Sequence, residues 1–286
     1  MLASILLPLA DWHHGASARD YAFWLAKRTG CHIQALDVID IKSFEIPVLG
    51  TSDGFMPSVV SPPIAESQAL LEELTRLARE RLERFSHVCE QQGLSCSAEV
   101  KTGIPGDVIA REAVAHDIVI MSRAGYTRAG RSDGRLVDSL VSSVIRGSIR
   151  PVLVAGREFP AAGGVRSLMV AFDGSVHSAR ALSAAAELGA GSGVDCTLTI
   201  VSPTDEAGQD TLGPAEAFLC HHGLTPKKKV VIGSRASELL CDIVREAGTD
   251  ILIMGAYGHS PIREIFFGCT TERILSHCEA TVILQS

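Results

Sequence analysis

Asp117-Ile118-Val119-Ile120-Met121, near the middle of the chain, returns as Asp250-Ile251-Leu252-Ile253-Met254 near its end, and each copy runs into a glycine-containing loop. A chain that repeats a buried strand at so long an interval is built from two like domains. The flanks agree: Ser17-Ala18-Arg19 follows the first apolar run as Ser178-Ala179-Arg180 follows Leu168-Met169-Val170-Ala171-Phe172, and Pro151-Val152-Leu153-Val154 matches Thr281-Val282-Ile283-Leu284. Between the halves, Glu158-Phe159-Pro160-Ala161-Ala162-Gly163-Gly164 is short and rich in small residues, and reads as a linker. The domains are expected over residues 1–157 and 165–286, and 286 residues suffice for two ordinary cores.

Within each half, short apolar runs alternate with helical periodicity, which predicts an α/β fold of βαβ units around a parallel sheet. The first half predicts strands near 3–9, 32–38, 96–101, 117–121 and 151–155, and the second near 167–172, 195–201, 228–232, 250–254 and 280–284. From Ser67 to Gln92, apolar residues recur at three and four positions, as in a long amphipathic helix that Gly93 ends. Residues 41–63 carry Pro47, Gly50, Gly54, Pro57, Pro62 and Pro63 and predict a loop or flap near a ligand. In the second half the matching connection is shorter and predicts one short helix around Pro214 to His222.

The composition, 46% hydrophobic and 21% charged, is that of a globular protein, and no apolar stretch approaches the ~20 residues of a membrane helix. No membrane partner is expected. Met1-Leu2-Ala3-Ser4-Ile5-Leu6-Leu7 lacks the basic flank of a signal peptide and is cut short by Pro8 and Asp11, so it predicts a first buried strand. Eight cysteines without a Cys-x-x-Cys pair argue against zinc ribbons and suggest free thiols in a reducing, cytoplasmic setting. A net charge of −7 gives no general attraction to nucleic acid, and Lys227-Lys228-Lys229 reads as a solvated strand entrance. His13-His14 and His221-His222 have no Glu or Cys at chelating spacing, so no metal site is assigned to them.

After the strand Ile251–Met254 come Gly255, Gly258 and Gly268, followed by Cys269 and Thr270. Glycines at a strand end let backbone N–H groups approach a phosphate, and a following helix N-terminus adds roughly half a positive charge. The string GAYGHSPIREIFFGCTTERIL resembles the nucleotide-binding signature of universal stress proteins, Gly-x2-Gly-x9-Gly before a small hydroxyl residue, and Asp173-Gly174-Ser175 matches that family's other landmark. The resemblance covers essentially the whole chain as two tandem domains. It implies, in each, a doubly wound, Rossmann-like five-stranded parallel sheet of order 3-2-1-4-5, with ATP across the strand C-terminal ends and magnesium or manganese as an accompanying ion. Carried over residue by residue, Asp173 sits at the adenine and the backbone near Val201 contacts the base. Gly255 and Gly258 line the ribose and phosphate approach, while Gly268, Cys269 and Thr270 present N–H groups to the β- and γ-phosphates. His259 and Arg263 are candidates for phosphate or metal, with a plain surface role as the alternative. Cys269 departs from the family's hydroxyl and is the weaker donor, with Thr270 adjacent to compensate.

The first half departs further, placing Ser122, Gly125 and Asp138 opposite Gly255, Gly258 and Gly268. An aspartate ~4 Å from a phosphate charge costs roughly 4 kcal/mol at an effective dielectric of about 20, more than the ~0.3–2 kcal/mol a helix terminus supplies. Arg123, Arg128, Arg131 and Arg135 are available to neutralise it, but two of three glycines are gone, so ATP is expected in the second domain only.

The resulting expectation is a regulatory, stress-response ATP-binding protein with an unidentified protein partner. No Ser-His-Asp set, acid/base carboxylate pair or Walker lysine is present, so no catalytic residue is assigned and slow ATP hydrolysis is the one chemistry left open. The Ser-Gly-Gly-x-Asp-Ser loop of adenylating ATP pyrophosphatases is missing after both first strands. A scaffold, or a carrier of a non-nucleotide ligand through the first domain, remains the alternative. The strands Val152–Val154 and Thr281–Leu284 are candidate contact edges for an intramolecular pseudo-dimer or for a homodimer of such chains.

Overall fold

The computed structural model describes residues 2–9, 15–41, 46–47, 59–60, 64–123, 139–160, 163–256 and 269–286. The first half runs β1 (Ser4–Pro8), α1 (Ala16–Thr29), β2 (His32–Asp40), the two-residue strands β3 (Ile46–Pro47) and β4 (Val59–Val60), α2 (Ile64–Gln91), β5 (Cys96–Gly103), α3 (Pro105–Glu112), β6 (Ile118–Ser122), α4 (Ser139–Gly147) and β7 (Val152–Ala155). The second runs β8 (Ser167–Ala171), α5 (Val176–Gly189), β9 (Asp195–Ser202), α6 (Asp205–His221), β10 (Lys227–Ile232), α7 (Ala236–Ala247), β11 (Ile251–Gly255), α8 (Cys269–His277) and β12 (Thr281–Gln285).

The strands order as β5-β2-β1-β6-β7 in one half and β10-β9-β8-β11-β12 in the other, so both follow the expected 3-2-1-4-5 pattern. All neighbours within a half are parallel, and β7 pairs antiparallel with β12 to make one ten-stranded sheet. Val152, Leu153 and Val154 face Leu284, Ile283 and Val282. Leu153 and Ile283 hold the same place in the two copies and sit opposite each other, so a local twofold axis passes between them and the joint is self-complementary. The edges singled out in the sequence are thus paired within one chain. Ser286 Oγ adds a bond to the Ser148 carbonyl across this joint at 2.6 Å.

Alternation along the strands explains the layers. Ile5, Leu7, Ile118, Ile120, Ile251 and Ile253 point to the face covered by α1, α2, α5 and α6. Leu6, Val119, Met121, Leu252 and Met254 point to the face covered by α3, α4, α7 and α8. The repeated leading aspartate has a matching cause. Asp117 Oδ2 accepts from the N–H groups of Ala3 and Ser4 at 2.7 and 3.0 Å, and Asp250 Oδ2 from those of Arg166 and Ser167 at 2.7 and 2.9 Å. Each carboxylate fixes the fourth strand of its half against the first.

The structure corrects the expected short helix. α6 spans 17 residues with Pro214 inside it. Thr204 Oγ1 caps it by accepting from Ala207 N at 3.3 Å, and Asp205 and Glu206 occupy its first turn. This start signal outweighs the one backbone bond that proline removes. Gly208 lets the helix lie close, since a Cβ there would meet Val230 Cγ1 at 2.5 Å. The long helix of the first half begins a turn earlier than its periodicity suggests and ends at Gly93, whose φ is +68°. Of the flap at 41–63, the described parts are Ile41 and the antiparallel pair β3–β4.

The segment between the halves packs as a strap over α1. Phe159 meets Tyr21 edge-on at 4.8 Å and lies 6.4 Å from Trp24. On the outer edge, β10 exposes Lys227, Lys228 and Lys229, with Lys228 paired to Glu216 at 2.8 Å, the charged edge that discourages further strand pairing. Among the described residues no helix is long and apolar enough to cross a membrane.

Candidate functional site

In the second half β8 lies between β9 and β11, and the chain leaves β8 toward one face and β11 toward the other. The crevice beyond the C-terminal ends of these strands is the switch point at which open α/β sheets bind ligands. Asp173, Gly174 and Ser175 form its first wall. Asp173 Oδ1 accepts from Ser175 N at 3.0 Å, and Gly174 takes φ +77°. Ser175 Oγ then caps α5 by accepting from Ser178 N at 3.1 Å, while Ser178 Oγ donates to the Ser175 carbonyl at 3.0 Å. The Asp-Gly-Ser landmark is therefore also the turn that aims the N-terminus of α5.

Gly255 ends β11 beside that helix. A Cβ there would stand 2.8 Å from the His177 carbonyl carbon and from Ser178 N, so glycine is required by the approach of α5 to the strand end. This packing demand was not foreseen from the glycine spacing, and it acts alongside any role toward a ligand. Val201, half-buried, is the penultimate residue of β9 and pairs with Val231; Ser202 beyond it is 3% exposed. α8 opens at Cys269, and Thr270 is half-buried in its first turn. Thr271, which the sequence did not single out, is 2% exposed and donates from Oγ1 to the Ala256 carbonyl at 2.5 Å, tying α8 to the end of β11. Gly258, His259, Arg263 and Gly268 lie outside the described residues, as does the side chain of Cys269.

The structure thus brings Asp173, Val201, Gly255 and Thr270 to the ends of adjacent elements at one end of one sheet. The arrangement offers two helix N-termini, which favour negative charge, and one carboxylate, which accepts hydrogen bonds. Among the described residues no group of three His, Cys, Asp or Glu side chains could hold a metal ion.

The first half differs at the matching places. Leu9 N donates to Leu36 O at 2.8 Å just as Phe172 N donates to Thr199 O at 2.9 Å, so Ala10 follows in sequence where the second half has Asp173. Ser122, 3% exposed, ends β6 where Gly255 ends β11. Asp37, a buried carboxylate inside β2, is held by Arg81 Nε of α2 at 2.7 Å. The signal for this pair was an aspartate within the apolar run of β2. Arg123 corrects an expectation: its guanidinium is committed to the carbonyls of Cys278 and Ala280 in the other half, the latter at 2.8 Å. Gly125, Arg128, Arg131, Arg135 and Asp138 lie outside the described residues. Of the histidine pairs, His222 accepts a local role, with Nδ1 2.8 Å from the Phe218 carbonyl and its ring against Phe218.

The model of the universal stress protein family matches residues 1–156 and again 164–284. Universal stress protein Slr1230 of Synechocystis sp. is 26% identical over 275 residues, covering 92% of each chain. A universal stress protein of Archaeoglobus fulgidus superposes with a TM-score of 0.74 at 18% identity, over 99% of this chain and 96% of that one. A putative universal stress protein of Pseudomonas aeruginosa follows at 0.64 and 16%, over 99% and 93%. At these identities the solved structures bear on the fold alone, and they carry the same architecture over the full length. With two family matches that together span nearly all of its residues, the chain belongs to the universal stress protein family, with the family's domain present twice in tandem.

Proposed function

We propose that this protein is a nucleotide-responsive regulatory protein that holds one ATP in its second domain, at the ends of β8, β9 and β11. The observation that carries the reading is the asymmetry of two otherwise equivalent strand ends. Gly255 ends β11 where Ser122 ends β6, and after the first strand the sequence reads Phe172-Asp173-Gly174-Ser175 in the second half against Leu9-Ala10-Asp11-Trp12 in the first. The Gly255, Gly258 and Gly268 spacing exists only in the second half.

In this reading Asp173 contacts the adenine and the backbone at Val201 the base edge. Gly255, Gly258, Gly268, Cys269 and Thr270 line the phosphate path to the α8 N-terminus, with His259 beside it. A magnesium or manganese ion would be carried mainly by the phosphate oxygens. The first domain serves as the pseudo-twofold mate and as a surface for a protein partner. Binding, rather than turnover, is the activity.

Calorimetric titration of nucleotide-stripped protein with ATP tests the site. One site per chain is expected, weakened at least about tenfold by Gly268→Asp, a loss of about 1.4 kcal/mol. Unchanged affinity in that variant would remove the assignment. The reverse change, Asp138→Gly, is expected to create no second site, because the other first-half replacements remain.

A further inference from the structure

The ten-stranded sheet ends in two edges of opposite kind. β10 carries Lys227, Lys228 and Lys229 in a row, whereas β5 has one lysine, Lys101, whose Nζ is held by Glu112 at 2.5 Å and by Glu99 at 3.4 Å. Among the described residues no strand pairs with the outer side of β5. Its register shows which backbone groups are left open there. Ile33 N donates to Ser95 O at 3.0 Å, and Ile33 stands opposite Cys96. In a parallel ladder the bonds to β2 then run through Ser95, Ser97, Glu99 and Lys101, and the N–H and C=O groups of Cys96, Ala98, Val100 and Thr102 point outward.

The same alternation sends the side chains of Ala98 and Val100, opposite Ala35 and Asp37, to the α2 side of the sheet. There they floor a groove of about 540 Å³ whose other wall is α2. Ala98 is exposed, Val100 is half-buried, and Leu82 closes the base at 5% exposure. Open backbone groups, an apolar floor and a wall of side chains are the three things that an added strand uses. The wall is charged, with Arg79, Glu83, His87 and Glu90 along it. His87 Nε2 is engaged by Gln91 Nε2 at 2.9 Å, and Glu99 at the rim is taken up by Lys101, so two carboxylates face one guanidinium. Glu83 and Glu90 stand about 10 Å apart along α2. Same-face residues of an extended segment are ~7 Å apart, and the length of Lys or Arg side chains spans the difference.

We propose that the outer edge of β5 is a docking site for an extended, basic segment of a partner protein, added as a further strand beside α2 with basic side chains toward Glu83 and Glu90. The segment bonds the backbone of Ala98 and Val100, and its alternate side chains enter the groove. A second copy of this chain is the poorer occupant. Its β10 offers only Lys228 to the helix side, where that lysine is already paired with Glu216 at 2.8 Å, and β5 against itself sets like-charged walls together. The proposal rests on the reading of the first domain as a partner surface and is separate from the ATP site of the second.

The test uses the full chain and two synthetic peptides of the length of β5, 8 residues, in which Lys or Glu alternates with Val. Calorimetry is expected to give one basic peptide per chain and at least about tenfold weaker binding of the acidic one. N-methylation of one alternate set of peptide amides is expected to abolish binding while the other set is tolerated, because only one set meets β5. Ala98→Pro removes an outward donor without touching the β2 ladder, and is expected to lower affinity at least about tenfold with the urea midpoint little changed. Glu83→Lys combined with Glu90→Lys has the same expected effect. Amide exchange slows at Ala98 and Val100 when the peptide is added, while Ser97 and Glu99 are protected throughout. If Ala98→Pro fails to fold, the two methylation patterns carry the test. Absent peptide binding with one ATP per chain overturns the edge alone, and peptide binding without ATP leaves it standing. Equal binding of the two peptides, equal effects of both methylation patterns, or a self-assembled free chain that already protects Ala98 and Val100 would overturn the proposal.

Discussion

Asp117 and Asp250 show how single residues write the same instruction twice. Each holds two backbone N–H groups of the preceding first strand on one carboxylate oxygen, and Ser167 Oγ adds a third bond to Asp250 at 3.1 Å. Asp250→Ala leaves those donors without their acceptor and is expected to cost about 1–3 kcal/mol, read as a lower urea midpoint with unchanged slope. His116, directly before Asp117, behaves differently. Its Nδ1 is buried with no hydrogen-bond partner among the described residues. Burial lowers its pKa, Glu112 and Asp117 oppose that shift, and His32 adds to it. The fold therefore favours the neutral ring. Its contribution to stability is intact above the unfolded value of about 6.5 and is lost as pH falls through the lower folded value. His116→Gln is expected to flatten the stability profile on the acid side of about pH 6.5, and an unchanged profile would refute this.

At the scale of elements, the fold was legible because its code is local and repeated. Asp-led apolar runs gave the fourth strands, periodicity gave α2, and Gly93 gave its end. What escaped depends on meetings between distant segments: the extension of α6 through Pro214, the strap of Phe159 over Tyr21, and the turn of Arg123 into the other half. The candidate site was legible to a similar degree. Glycine spacing pointed to the end of β11, but it could not say that Gly255 is demanded by α5, nor that Thr271 ties α8 in place, because both facts lie in three-dimensional contacts. Gly255→Ala places a methyl group 2.8 Å from two backbone atoms, which cannot give as a flexible side chain can. It is expected to lower stability by about 1–3 kcal/mol and to weaken nucleotide binding through displacement of the α5 N-terminus. A second-domain variant that binds normally despite that loss would separate the packing role from the ligand role.

For the whole molecule, the decisive contact is the antiparallel pairing of β7 with β12, which makes two sheets one. Ile283, fully buried opposite Leu153 at the local twofold, carries that joint. Ile283→Lys buries a charge there and is expected to cost several kcal/mol and to uncouple the halves. Denaturation followed by tryptophan fluorescence, which comes from Trp12 and Trp24 in the first half, and by circular dichroism should then give two separate curves, where the parent gives coincident ones. Both halves supply a strand to the joint, so the pairing leaves the strand ends of each half free to differ, as the proposed single ATP site requires. The central claim is that division, and it is tested most directly by extracting purified protein and counting adenine nucleotide per chain after saturation with ATP and removal of excess. The account predicts one per chain, lost in Gly268→Asp; two per chain, or one that survives that substitution, would contradict it.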